Sequence, residues 1–151
     1  MTMLSNCVPT LLANPFELNA HALAEAIAAT GDAGFDALGL WGFHLQFGGE
    51  EAAAVVAACG LPVATIDAAL SWVEGPSAAA LEEIEGLIAL ADQLGANVIH
   101  ATTLGAVADV GAATDGYAAI AAHAEAAGKV LGLEFLPWTG ISTLAAANEI
   151  A

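Results

Sequence analysis

The sequence predicts an α/β protein with parallel strands, and three observations carry that prediction. One supersecondary pattern recurs four times: an Ala-rich helical stretch ends at a glycine and is followed within a few residues by a short apolar run, at Gly34, Gly60, Gly95 and Gly128. Glycine suits the left-handed position just past a helix C-terminus, so each repeat reads as helix, turn, strand. The apolar runs show little polar alternation, as expected of strands buried on both faces; such strands joined by helices form parallel βαβ units with right-handed crossovers. Finally, 151 residues with 58% hydrophobic content are enough for one core and predict a single domain over residues 1–151.

Reading outward from the glycines, the first strand falls near Leu4–Val8 and the first helix near Ala20–Ala33. The second strand and helix follow near Ala37–Trp41 and Glu50–Cys59, and the third strand near Val63–Ile66. The third helix, near Ser77–Leu94, is the best determined: Leu81, Ile84, Leu87, Ile88, Ala91 and Leu94 recur at helical spacing, while Glu82, Glu83, Glu85 and Asp92 lie mainly off that stripe. Asn97–Ala101 is the fourth strand, Asp115–Ala127 the fourth helix and Val130–Leu136 the fifth strand, with a last helix from Ser142. Five βα units fit either a small doubly wound sheet or five-eighths of a (β/α)8 barrel, which usually takes about 250 residues. The last helix reaches Ala151 without a glycine or a basic C-terminal cap, which favours an incomplete parallel (β/α) TIM-barrel type of about five of eight units.

Composition excludes several function classes. Seventeen acidic residues face one basic residue, Lys129, for a net charge of −16, so nucleic acid and anionic membrane surfaces are not expected partners. No transmembrane span is expected, since the longest uncharged apolar stretch, Ala52–Ile66, is interrupted by Gly60 and Pro62. The N-terminal segment lacks a basic n-region, which predicts a cytoplasmic protein. Cys7 and Cys59 fit no metal or redox spacing and read as reduced thiols. No G-x-G-x-x-G or P-loop follows any strand, so nucleotide-binding α/β folds lack their phosphate-cradling loop here.

In parallel α/β folds the C-terminal ends of the strands form the ligand face, which singles out a few polar residues. Glu134 leads, as it shares a strand face with Gly132 and Leu136 that points into the barrel. Lys129 lies five residues back, about 16 Å along an extended strand, so only a histidine, a divalent cation or a raised pKa can accommodate that carboxylate. His44 and His100 close the second and fourth strand regions and are candidate substrate contacts, while His21 and His123 sit within helices and read as surface residues. Asp67 ends the third strand, as a hydrogen-bonding group or as turn chemistry. Trp41, Trp72 and Trp138 lie at or just beyond strands and could together wall a pocket, with Asn6 and Thr102 as weaker candidates.

Three segments carry a resemblance to a known family: Gly34-Phe-Asp-Ala-Leu-Gly-Leu, Ala91-Asp-Gln-Leu-Gly-Ala-Asn-Val and, above all, Leu133-Glu-Phe-Leu-Pro-Trp-Thr-Gly-Ile-Ser-Thr-Leu. They resemble the sugar phosphate isomerase/epimerase family of xylose isomerase-like barrels, related to inosose dehydratase, tagatose epimerase and endonuclease IV, along the whole chain. The resemblance implies a metal-dependent isomerase, epimerase or dehydratase that moves a proton next to a carbonyl. It also implies a divalent cation (Mn, Mg, Co or Zn) held by carboxylates and a histidine, Glu134 matching the first ligand and one of two proton-transferring glutamates. The other ligands, an Asp, a His and a second Glu, belong to sixth to eighth strands that this sequence does not contain, so the chain alone is expected to be inactive. Without basic residues for a phosphate, a neutral keto sugar or polyol is the expected substrate. The alternative is a non-catalytic half-barrel α/β module that self-associates as a homo-oligomer over its apolar strand edges.

Overall fold

The computed structural model describes residues 3–151. Five strands, β1 (Ser5–Cys7), β2 (Ala37–Trp41), β3 (Val63–Ala69), β4 (Val98–Ala101) and β5 (Val130–Leu133), form one sheet. Its order is β1-β2-β3-β4-β5, and every neighbouring pair is parallel. Strictly sequential order decides between the two architectures, because a doubly wound sheet reverses its strand order at a switch point and a barrel does not. The sheet is therefore an arc of a (β/α) barrel.

The helices are α1 (Ala20–Asp32), α2 (Gly42–Phe47), α3 (Gly49–Ala58), α4 (Ala78–Leu94), α5 (Val110–Ala126) and α6 (Leu144–Asn148). The four repeat glycines all adopt the left-handed conformation expected of them, with φ of 82° at Gly34, 74° at Gly60, 71° at Gly95 and 71° at Gly128. Side-chain oxygens of Asn19, Ser77, Asp109 and Thr143 accept backbone N–H groups in the first turns of α1, α4, α5 and α6. The Asp109 cap starts α5 five residues before the expected Asp115.

Three further boundaries differ from expectation. Helix α2 was not expected; it has only six residues and no side-chain cap, so little in its sequence announces it. β3 runs on to Ala69, which places Asp67 within the strand rather than at a turn. β5 stops at Leu133, so Glu134 lies just past the strand, although its N–H still donates to the Ala101 carbonyl at 2.9 Å.

The core lies between sheet and helices. Leu38, Leu40, Ile66, Ile99 and Ala101 are buried on the helix side of the sheet, with Ile84 and Leu87 of α4 and Ile120 of α5 in the same cluster. The opposite, concave face carries Cys7, Gly39, Trp41, Thr65, Asp67, His100 and Gly132 by alternation. Burial on both faces, the sequence expectation, thus fails on the concave side, where small and polar residues leave room. Among the described residues no helix is long and apolar enough to cross a membrane.

Candidate functional site

At the C-terminal ends of the strands the concave face holds a cavity of about 310 Å³. Trp41, Phe16, Phe43 and Phe47 line one side, and Asp67, Thr102 and Glu134 contribute polar groups. The aromatic side coheres through ring contacts, Phe16 to Trp41 at 5.4 Å and Phe43 to Phe47 at 5.5 Å between centroids. Glu83 of α4 also reaches the cavity, but its Oε2 accepts the Leu70 and Ser71 N–H groups at 2.8 Å each and so holds the loop after β3.

Strand register builds the polar floor. Trp41 pairs with Asp67, Asp67 with His100, and His100 with Gly132, a row crossing four strands at one level. Along it His100 Nδ1 donates to Asp67 Oδ1 at 2.5 Å. This bond to a carboxylate raises the His100 pKa, while burial opposes the rise. The Cys7 thiol lies 4.0 Å from the other Asp67 oxygen. Burial first, and then the charges of Asp67 and Glu134, push that thiol up to about 11, so it remains protonated at neutral pH.

Glu134 enters from the end of β5, anchored by its own backbone: its carbonyl accepts the Thr102 hydroxyl at 3.1 Å. Its pKa is raised, chiefly because the cavity walls keep water from the carboxyl and also because Asp67 is negative, with His100 acting in the opposite direction. Lys129, the only basic side chain, is committed elsewhere, with its Nζ 2.9 Å from the Ala96 carbonyl and 2.8 Å from Asp92. Glu134 therefore shares the cavity with two other acids, Asp67 and Glu83, and with no lysine or arginine.

The structure brings Glu134, Asp67 and Trp41 to this cavity, with His100 beside them, and leaves three sequence candidates out. His44 lies in α2, 4% exposed, stacked on Trp41 at 5.7 Å with Nε2 2.6 Å from the Pro15 carbonyl. Its other ring nitrogen has no partner, and the ring faces a separate cavity of about 60 Å³. Trp72 is fully buried and donates its indole N–H to the Ala69 and Thr102 carbonyls at 3.1 and 3.0 Å, which makes it a brace between β3 and β4. Trp138 is 77% exposed and does not line the cavity. Of the weaker candidates, Asn6 turns to the Thr30 hydroxyl at 2.9 Å, away from the concave face. Sequence reasoning missed the three phenylalanines: Phe16 belongs to a loop without periodicity, and Phe43 and Phe47 to the unannounced α2.

A divalent cation does not fit the residues present. Among the described residues no three His, Cys, Asp or Glu side chains are grouped to hold a metal ion. The chemistry of the donor set agrees: Asp67 is taken up by the His100 ring and Cys7 is protonated, which leaves Glu134 and His100 Nε2, two free donors where catalytic sites use about three.

No family model matches the chain, and no curated protein matches it. Solved structures do. The zinc-bound IOLI protein superposes with a TM-score of 0.71 at 16% identity over 99% of this chain and 58% of its own. A xylose isomerase-like TIM barrel protein from Mycobacterium smegmatis in complex with magnesium gives 0.68 at 18% identity over 98% and 59%. D-allulose 3-epimerase from Methylomonas sp. in complex with D-allulose gives 0.65 at 16% identity over 98% and 59%. The chain spans about 60% of the length of these three proteins, and over that span it has the fold of the xylose isomerase-like TIM barrels.

Proposed function

We propose that the chain forms the substrate-holding floor and aromatic wall of a sugar isomerase, epimerase or dehydratase, with Glu134 as the group that takes a proton from the carbon next to a carbonyl. The observation that supports this most is the placement of Glu134: a carboxyl of raised pKa at the end of a barrel strand, on a cavity walled by aromatic rings. A sugar presents apolar C–H faces to aromatic rings and hydroxyls to carboxylates, and this cavity supplies both. A carboxyl whose pKa is raised is a stronger proton acceptor than an ordinary carboxylate. Family resemblance and fold likeness agree with this class of reaction. Two of the structurally similar proteins hold magnesium or zinc; the residues of this chain do not fit such an ion, and no proton transfer is assigned to one.

Substrate charge follows from the same cavity. Carboxylates Asp67, Glu83 and Glu134 line it, and the one lysine is bound at the other end of β5. A phosphate group is held best by cationic donors, and the lining residues include no lysine or arginine, so the proposed substrate is a neutral keto sugar or polyol.

Titrating the isotopically labelled chain with D-allulose and with fructose 6-phosphate, followed by NMR, tests the reading. The neutral sugar is expected to shift Trp41, Thr102 and Gly132 with an affinity on the order of millimolar, and the phosphate ester is not. Absence of shifts at those residues, or tighter binding of the phosphate, overturns it.

One observation favours the second reading, self-association. β1 and β5 are the edges of an open sheet, and Val130 (61% exposed) and Leu4 (58%) stand there uncovered. Light scattering coupled to size exclusion decides: a monomer at high micromolar concentration rejects this reading.

A further inference from the structure

The imidazole of His100 lies sideways across the concave face, from β3 to β5. Its Nδ1 meets Asp67 Oδ1 at 2.5 Å. Its opposite edge faces Gly132, where an added Cβ would stand 2.9 Å from Cδ2 and 3.5 Å from Nε2. Gly132 does not adopt a positive φ, so the backbone there does not require glycine; the ring requires the space. The Asp67 side chain is 10% exposed and that of His100 31%, which puts the carboxylate behind the ring and leaves the ring open to the concave side.

This arrangement fixes which nitrogen can act. A carboxylate accepts a hydrogen bond and so keeps a proton on Nδ1. The lone pair of the neutral ring, or the second N–H of the charged ring, then sits on Nε2, on the β5 side, where Glu134 is the next inward residue. No other nitrogen base stands on this face, since Lys129 is bound elsewhere and His44 faces another cavity.

We propose that His100, positioned by Asp67, serves the oxygen atoms of the substrate while Glu134 serves its carbon. The inference rests on the proton-transfer reading above and assigns its second group. Interconverting a ketone and a neighbouring hydroxyl-bearing carbon needs a proton moved at carbon and another at oxygen. Glu134 takes the C–H proton, the C–H electron pair becomes the C=C bond, and the carbonyl π pair moves onto oxygen. That oxygen takes the Nε2 proton of the His100 imidazolium. The step yields an enediol, a protonated Glu134 and a neutral His100, with net charge unchanged. Glu134 then gives its proton to the former carbonyl carbon while the hydroxyl on the carbon it deprotonated gives its proton to Nε2, which forms the new C=O bond and restores both residues. Asp67 touches no reacting atom; it sets the orientation and tautomer of the ring, as a carboxylate does for the histidine of a hydrolase triad.

Long-range 1H–15N correlation spectra of the 151-residue chain, with and without D-allulose, test the proposal. In the wild type above the histidine titration, the His100 proton is expected on Nδ1, with Nε2 bare. Asp67→Asn, whose amide can donate to Nδ1, is expected to move the proton to Nε2 and to weaken D-allulose binding roughly two- to tenfold, the loss of about one hydrogen bond. In the wild type D-allulose is expected to shift His100 Nε2 and leave Nδ1 in place. Should Asp67→Asn not fold, Gly132→Ala, which crowds the ring from the other side, is expected to disturb the same two resonances. A wild-type proton on Nε2, an unchanged tautomer in Asp67→Asn, or sugar-induced shifts at Trp41 without a shift at Nε2 each overturn the assignment and leave the sugar-cavity reading standing. No sugar-induced shift anywhere on the concave face overturns that reading, and this assignment with it.

Discussion

Replacing Gly132 by alanine probes the site by crowding the His100 ring while removing no group assigned to chemistry. The new Cβ would start 2.9 Å from His100 Cδ2, where carbon atoms rest at about 3.5–4.0 Å, so the ring must retreat by ~0.6–1 Å. The only firm hold on the ring is the 2.5 Å bond to Asp67 on its opposite edge, which blocks a straight retreat, so the ring must tilt out of the row and bend that bond away from linearity. A charge-assisted bond contributes about 1.5–3 kcal/mol when sheltered; with the His100 side chain 31% exposed, about 1 kcal/mol is a fairer figure after screening. Against this loss, alanine in a strand gains about 0.5–1 kcal/mol over glycine. Global stability should therefore change by less than about 1 kcal/mol, with the cost concentrated in one side chain. Urea unfolding together with an NMR titration of His100 separates the two effects. The expected result is a nearly unchanged unfolding midpoint and a His100 pKa that falls toward the ordinary value as the bond that raises it weakens. An unchanged His100 titration in a normally folded variant would refute the packing of the ring against Gly132. A loss above about 3 kcal/mol would show that the concave face is packed shut rather than open.

Gly116→Ala should destabilise by about 3 kcal/mol or more, because its Cβ would collide with the Trp72 carbonyl oxygen and come within 3.1 Å of the Gly75 backbone, neither of which can swing aside; a normal thermal midpoint rejects the close approach of α5 to that turn. Lys129→Met should cost about 1–3 kcal/mol in denaturant midpoint without changing the slope. Most of that cost comes from the stranded Ala96 carbonyl, since Asp92 is 64% exposed and its ion pair is screened. Glu134→Gln should flatten part of the pH dependence of stability. A carboxyl whose folded pKa is raised contributes stability below its unfolded pKa and loses it as pH rises through the folded value, so the variant should overtake the wild type by a few tenths of a kcal/mol on the alkaline side of that window. With its thiol at about 11, Cys7 has roughly one molecule in a thousand ionised at pH 8; alkylation mapped by mass spectrometry should accelerate about a hundredfold in urea, and equal rates in both states would contradict its shielding by Asp67 and burial.

The fold was largely legible because its signals are local. A helix that ends on a left-handed residue selects glycine within a single turn, and Gly34, Gly60, Gly95 and Gly128 all mark such ends. Between them, Leu38 and Leu40, or Ile66 and Ile99, announce strands by sheer apolarity. The same apolarity concealed the concave face. Gly39, Thr65 and Gly132 carry weak hydropathy of either sign, so the two-residue alternation of the strands reads as an unbroken apolar run although the concave side is only partly covered. Where a local signal was missing, as at the uncapped six-residue α2, the sequence reading failed, and His44 was carried with that helix away from the face it was expected to join.

Glu134 could be picked out from its own segment because no cation lies within reach along the strand. The Asp67–His100 pair could not, since its members stand 33 residues apart and meet only through the register of β3 against β4. Register of this kind is set by the helix-side residues: Ile66 and Ile99 pair directly, and a slip of one position would turn Ile66 to the open side and Asp67 toward the helices if β3 moved, or Ile99 and His100 likewise if β4 moved. Burying those two apolar side chains stabilises the correct register by about 1.5–3 kcal/mol each, before the penalty for interring a carboxylate is added. The alignment of the polar row is therefore enforced by residues that never touch the cavity, which is why a single chain, read residue by residue, shows the acids and the histidine but not their partnership.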